Sequence, residues 1–152
     1  MDTKRHCCMR LTNDLSRMIS HTTTIRVRYA ETDQMGFVYY GNYATYFEVA
    51  RVETLRSIGI TYRSLEENGI LLPVVRFQIN YSAPANYDDE LHIKTMIREL
   101  PSVRMKFEYH TYRGETLLNE AETELVFTDA TTKRPMRCPA HLSEILNAYF
   151  IQ

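Results

Sequence analysis

The segment Arg28-Tyr-Ala-Glu-Thr-Asp33-Gln-Met-Gly36-Phe-Val-Tyr-Tyr40-Gly41-Asn42-Tyr43 holds the residues best suited to chemistry. A strand-like run leads into it, Asp33 follows in a turn, and a helical pattern starts at Asn42. Asp33 has two readings. A loop aspartate commonly closes an Asx turn on its own backbone. A carboxylate at such a place can also act as nucleophile or as general base on water. The helix start adds unpaired N–H groups and the positive end of the helix dipole. A carbonyl oxygen seated there would be polarised as negative charge develops. One such donor contributes about 2.7–4 kcal/mol to a transition state. Carboxylate and amides together suit attack on a carbonyl, and a good leaving group such as a thiolate would let so sparse a site suffice.

Other candidates are fewer. Glu48 lies about two turns into the helix, where it could serve as a second carboxylate or form an i,i+3 ion pair with Arg51. Tyr39, Tyr40, Tyr43 and Tyr46 could line an acyl or aryl pocket, or be core residues with polar tips. Arg104 and Lys106 stand on a polar strand face, either solvated or available to phosphate groups. Much other apparatus is excluded. No G-x-S-x-G nucleophile elbow occurs. Glycines stand only at 36, 41, 59, 69 and 114, which permits neither a P-loop nor G-x-G-x-x-G. The 5 histidines form no H-x-x-x-H pair. Cys7, Cys8 and Cys138 form no C-x-x-C, so neither a zinc site nor a disulfide framework is expected.

The elements that must position these residues follow from hydrophobic period. Ile25, Val27 and Tyr29 alternate with Arg26 and Arg28, as in a half-buried strand. Asn42 suits an N-cap, and a helix follows to Ser57, with Gly59 closing it. Tyr43, Phe47, Ala50 and Ile58 form one stripe while Val49 and Val52 face elsewhere, so the helix is expected to be buried on several sides. A short helix is expected over 61–68. The period then changes to 2. Val75–Tyr81, Leu91–Arg98, Val103–His110 and Leu117–Phe127 each alternate as strands with one apolar face. Turns fall at Pro84-Ala-Asn86, Leu100-Pro101-Ser102 and Arg113-Gly114. Pro73 points to an edge strand, and Pro139 opens a short C-terminal helix. Short connections favour an antiparallel sheet, which the long helix must cover. The class is α+β.

At 152 residues the chain reads as one domain with a core. Its net charge of −1 offers no electrostatic attraction to nucleic acid. No apolar run approaches the roughly 18 residues of a membrane span. Lys4, Arg5, Arg10 and Arg17 precede no apolar h-region, so a secretory signal is not expected and the cytoplasm is the expected compartment. Residues 1–22 show no periodicity and read as a disordered extension, with the domain spanning 23–150. Met18 would serve equally well as a natural start.

The stretch T-D-Q-M-G-F-V-Y-Y-G-N-Y-A-T-Y-F-E-V-A-R-V-E, from Thr32 to Glu53, resembles the signature of hotdog-fold acyl-CoA thioesterases of the 4-hydroxybenzoyl-CoA thioesterase type, which include the bacterial Tol–Pal-associated enzymes. The likeness extends from about Thr24 to Leu146. It implies a curved antiparallel sheet wrapped around one long helix. It implies dimers whose sheets join, often paired into tetramers, with active sites at subunit interfaces. By position, Asp33 matches the catalytic aspartate and Tyr40 the residue whose backbone N–H polarises the thioester carbonyl, with Gly41, Asn42 and Tyr43 as substrate-binding neighbours. No metal or redox cofactor is implied, and coenzyme A enters as part of the substrate. Two departures stand out. Many relatives carry histidine where Tyr40 stands, and Gln34-Met35 replaces small residues beside the aspartate. The expected reaction is hydrolysis of an acyl-CoA to a carboxylate and free CoA. The competing expectations are an acyl-carrier-protein thioesterase and a non-catalytic acyl-CoA-binding protein. A transcriptional sensor would need a DNA-binding module, and about 20 residues ahead of the first strand are too few for a helix-turn-helix.

Overall fold

The computed structural model describes residues 18–150. The expectations for residues 1–17 lie outside that range. In chain order the elements are β1 (Ile19–Arg26), a 3-10 turn (Tyr29–Glu31), α1 (Asn42–Ser57), α2 (Tyr62–Glu67), β2 (Ile70–Leu71), β3 (Val74–Tyr81), β4 (Glu90–Ile97), β5 (Arg104–Arg113), β6 (Thr116–Val126), β7 (Thr128–Asp129) and α3 (Ala140–Phe150). Five strands form one antiparallel sheet in the order β1-β4-β5-β6-β3. The expected α+β plan, a sheet packed on one long helix, is the plan observed.

The alternation in the sequence decides which face meets that helix. Tyr109 lies opposite Thr95 on β4 and Ala121 on β6, and Phe107 lies opposite Thr123. Phe107, Tyr109, Met105, Ile93 and Leu125 are at most 1% exposed. Their neighbours Arg104, Lys106, Glu108 and His110 form the opposite, solvent face. α1 lays Phe47 against this core: its ring stacks on Tyr109 at 4.6 Å and meets Phe77 edge-on at 5.9 Å.

No glycine or proline interrupts α1. At its end Gly59 takes φ +87°, and Ile60 N–H donates back to the Leu55 carbonyl at 2.9 Å. Such a left-handed residue is the usual stop for a helix. Two expectations about α1 are corrected. Gly41, not Asn42, is the cap residue; Asn42 is the first helical residue. The helix is also buried along one side only, through Tyr43, Tyr46, Phe47, Ala50, Arg51, Thr54 and Leu55, while Val49 is 43% exposed.

The first strand differs as well. β1 begins at Ile19 and pairs in full register with β4, from Ile19 opposite Ile97 to Arg26 opposite Glu90. Residues 19–22 are therefore strand, and a boundary after residue 22 would cut it. Tyr29, expected within the strand, sits in the 3-10 turn and is exposed. The signal was weak because the inward positions of β1 include His21 and Thr23 rather than apolar residues. The β2–β7 pair, two residues a side, is too short to leave a period.

β3 is an edge strand, as Pro73 suggested. Val74, Val75, Phe77 and Tyr81 remain 40–52% exposed along it. Among the described residues no helix is long and apolar enough to cross a membrane.

Candidate active site

The loop between the 3-10 turn and α1 is built around Asp33. Its N–H donates to the Phe37 carbonyl at 2.8 Å, and its own carbonyl accepts from Gly36 N–H at 2.9 Å. Its carboxylate oxygen Oδ1 accepts from the N–H groups of Met35 (2.9 Å) and Phe37 (3.3 Å). Gly36 takes φ +83°, a backbone state that a side chain would strain. The Asx turn is thus formed. It also has a chemical consequence. Oδ1 is held by two backbone amides, while Oδ2 has no hydrogen-bond partner among the described residues. One carboxylate oxygen fixes the orientation, and the other is without a partner there.

The loop is pinned on both sides. Val38 N–H donates to the Ala85 carbonyl at 2.8 Å, and Phe37 bridges to Asn86. Thr32 bridges to Val38, folding the two arms together. Beyond the loop, Asn42 N–H donates to the Tyr39 carbonyl and Tyr43 N–H to the Tyr40 carbonyl. The N–H groups of Tyr40 and Gly41 have no acceptor among the described residues. They form the donor pair that a helix start leaves over. A Cβ at position 41 would lie 2.9 Å from the Tyr39 ring, so glycine lets that ring fold over the backbone.

The expected site residues separate in depth. Tyr40 is 66% exposed, with its ring 4.7 Å from that of Tyr39. Tyr43 lies in the core behind the loop, edge-on to Tyr81 at 5.6 Å. Burial, with the nearby Tyr81, pushes its hydroxyl up to about 12. Asn42 turns its side chain away to donate to the Glu31 carbonyl at 2.8 Å.

Glu48 is exposed and does not pair with Arg51, which corrects the expected i,i+3 ion pair. Arg51 instead turns into the core. Its Nε donates to the Tyr62 hydroxyl at 2.8 Å and its Nη1 to the Tyr109 hydroxyl at 3.3 Å, with the guanidinium 6.0 Å from the Phe107 ring centre. Two phenols and an aromatic face, far apart in sequence, draw it inward.

Glu31 was not singled out from the sequence. It is buried, and its carboxylate accepts from the Tyr46 hydroxyl at 2.5 Å, from the Arg28 N–H at 2.9 Å and from the Arg28 guanidinium at 2.8 and 2.5 Å. Burial raises its pKa, but the hydrogen bonds from Tyr46 and Arg28 outweigh that and hold it below the ordinary carboxylate value. The same burial, with Glu31 beside it, raises the Tyr46 hydroxyl. The only sequence signal was a carboxylate two residues before Asp33 and three after Arg28.

The far face of the sheet holds two shallow depressions. One, of about 210 Å³, is lined by Gln78, Asn80, Glu108, His110, Glu120 and Glu122. The other, of about 220 Å³, is lined by Arg98, Glu99, Lys106 and Glu108. Both lie across the sheet from α1. The basic residues there are answered by carboxylates: Arg104 by Glu124 at 3.0 Å, Lys106 by Glu122 at 2.9 Å and Arg98 by Glu108 at 2.6 Å.

Residues 27–146 match the thioesterase-like superfamily. The chain is 34% identical over 116 residues to an acyl-CoA thioester hydrolase, YbgC, of Escherichia coli, covering 76% of this chain and 87% of that one. It superposes on a DHNA-CoA thioesterase of Staphylococcus aureus with a TM-score of 0.80 at 34% identity, covering 86% of this chain and 88% of the other. A protein of Thermus thermophilus, TT1821, gives a TM-score of 0.80 at 36% identity, with 84% and 98% covered.

Proposed function

This chain belongs to the thioesterase-like superfamily, and we propose that it hydrolyses acyl-CoA thioesters at the Asp33 loop. One observation carries the proposal. A carboxylate has one oxygen fixed by two backbone amides and the other unpartnered, in the same loop as two unpartnered amides at the start of α1. The thioester carbonyl oxygen docks on the Tyr40 N–H, with the Gly41 N–H beside it. Asp33 Oδ2 then attacks the carbonyl carbon, or takes a proton from the water that does. The C–S bond breaks and the thiolate leaves with the electron pair. If Asp33 attacked, water then hydrolyses the acyl–Asp33 anhydride and regenerates the carboxylate; if water attacked, the acid is already formed. A thiolate is a good enough leaving group for carboxylate and amides to suffice. The side chain of Tyr40 is not required, because the donor is backbone, so tyrosine in place of histidine leaves this step intact. The named activities of the E. coli and S. aureus relatives support the choice of a CoA thioester.

The assembly belongs to the same proposal. β3 offers an open edge carrying exposed Val75, Phe77 and Tyr81. A second copy pairing there extends the sheet and covers these side chains. Phe77→Lys is expected to halve the mass seen by light scattering, and an unchanged mass contradicts this contact.

The activity is tested by thiol release from a panel of short, long and aromatic acyl-CoAs, alongside the matching acyl carrier proteins. Turnover of CoA thioesters is expected. Turnover of carrier-protein thioesters alone would replace CoA as the carrier. Binding without hydrolysis across the panel would replace the enzyme with an acyl-CoA-binding protein.

A further inference from the structure

Asp33 and the two free amides stand at opposite ends of one loop, Asp33 just after the 3-10 turn and Tyr40 and Gly41 just before α1, and one residue spans both ends. We infer that Glu31 is a positioning residue, clamping the Asp33 loop to the first turns of α1 so that carboxylate and amide donors keep their mutual geometry. The inference rests on the reading of Asp33 given above.

Glu31 uses both ends. Its main-chain carbonyl accepts from the Tyr39 N–H at 2.9 Å and from the Asn42 side chain at 2.8 Å. These two residues bracket Tyr40 and Gly41, the pair with free N–H groups. Its carboxylate accepts from the Tyr46 hydroxyl at 2.5 Å, one turn further along α1. Arg28 closes the other side by donating from both its backbone and its guanidinium. Asp33 follows only two residues later, and among the described residues the loop's other hydrogen bonds to α1 are the local ones from Asn42 N–H to Tyr39 and from Tyr43 N–H to Tyr40. Its remaining ties run to Ala85 and Asn86. Glu31 thus sets the loop against the helix, while Ala85 and Asn86 set it against the sheet.

Burying a carboxylate is costly unless it is paired and hydrogen-bonded. Glu31 is 7% exposed and Tyr46 2%. A purely stabilising contact would be served as well by apolar packing. What apolar packing cannot do is fix direction, and charge-assisted hydrogen bonds do. A misplacement of about 1 Å at a catalytic group can cost up to roughly 100-fold in rate.

The test uses Glu31→Gln, Glu31→Ala and Tyr46→Phe in the full chain, with kcat and KM measured per folded site. Gln keeps an acceptor for Tyr46 but loses the charge, and an effect of about 10-fold on kcat is expected. Ala is expected to lose up to about 100-fold. KM should stay within about 2-fold in both. Tyr46→Phe, which leaves Glu31 and Arg28 in place, should reproduce the Gln effect without unfolding the loop. In an Asp33→Asn background, Glu31→Gln should cause no further loss. A lowered melting temperature with unchanged kcat per folded site overturns the inference. So does a further loss on top of Asp33→Asn. An Asp33→Asn protein that keeps the full rate instead overturns the reading of Asp33, and the positioning role with it.

Discussion

Charge is distributed very differently over the two faces of this sheet, and the proposed site lies on the side with fewer charges. The solvent face is crowded with ions: Arg104, Lys106, Arg98 and Arg76 meet Glu124, Glu122 and Glu108 across neighbouring strands. Nearly every group there already has an opposite partner, and exposed pairs of this kind contribute little. The Asp33 loop has few charges. Yet it leaves one carboxylate oxygen and, just before α1, the amides of Tyr40 and Gly41 without partners among the described residues, next to a buried carboxylate that is fully satisfied. On the proposed mechanism, reactivity follows the unsatisfied groups that a satisfied scaffold holds in place, not the density of charge.

The largest way to break that contrast is Asp33→Asn. It keeps the shape and one acceptor oxygen but removes the charge. We expect steady-state thiol release to fall about 10²–10⁴-fold, the usual range for a general acid or base. The next largest concerns acid. Glu31 is held below its ordinary pKa by Tyr46 and Arg28. Its contribution to stability is therefore complete above its unfolded value of about 4.3 and is lost as pH falls through the lower folded value. Urea midpoints measured from pH 6 down to pH 3 should fall less steeply for Glu31→Gln than for the parent. Equal slopes would mean that the clamp is not charge-assisted.

Gly36→Ala sharpens the loop side alone. At φ +83° a side chain costs about 1–2 kcal/mol, although nothing lies within 4 Å of the added methyl. A thermal melt reads the cost, and a drop in kcat at constant KM would tie the turn to Asp33. The smallest effect is expected on the other face. Lys106→Ala breaks an exposed pair with Glu122, worth about 0–1 kcal/mol, and should leave kcat unchanged.

The sheet was legible because four strands alternate cleanly, and α1 because its polar and apolar residues keep a helical period. Asp33 was legible as a turn carboxylate ahead of a helix start. The rest depends on tertiary partners. Glu31 meets Tyr46, a neighbour only once α1 folds back over the loop. Arg51 leaves Glu48 for Tyr62 and Tyr109, and Tyr109 is a β5 residue that sequence spacing does not connect to α1. β1 starts early because a strand that pairs at the sheet edge tolerates histidine and threonine facing inward, and those residues carry no apolar period.

The most direct measurement is single-turnover thiol release from one acyl-CoA, run side by side with the parent chain, Asp33→Asn and Lys106→Ala, each corrected for its folded fraction. We expect Lys106→Ala to match the parent and Asp33→Asn to fall by about 10²-fold or more. Equal rates for all three, in folded proteins, would contradict a site at the Asp33 loop.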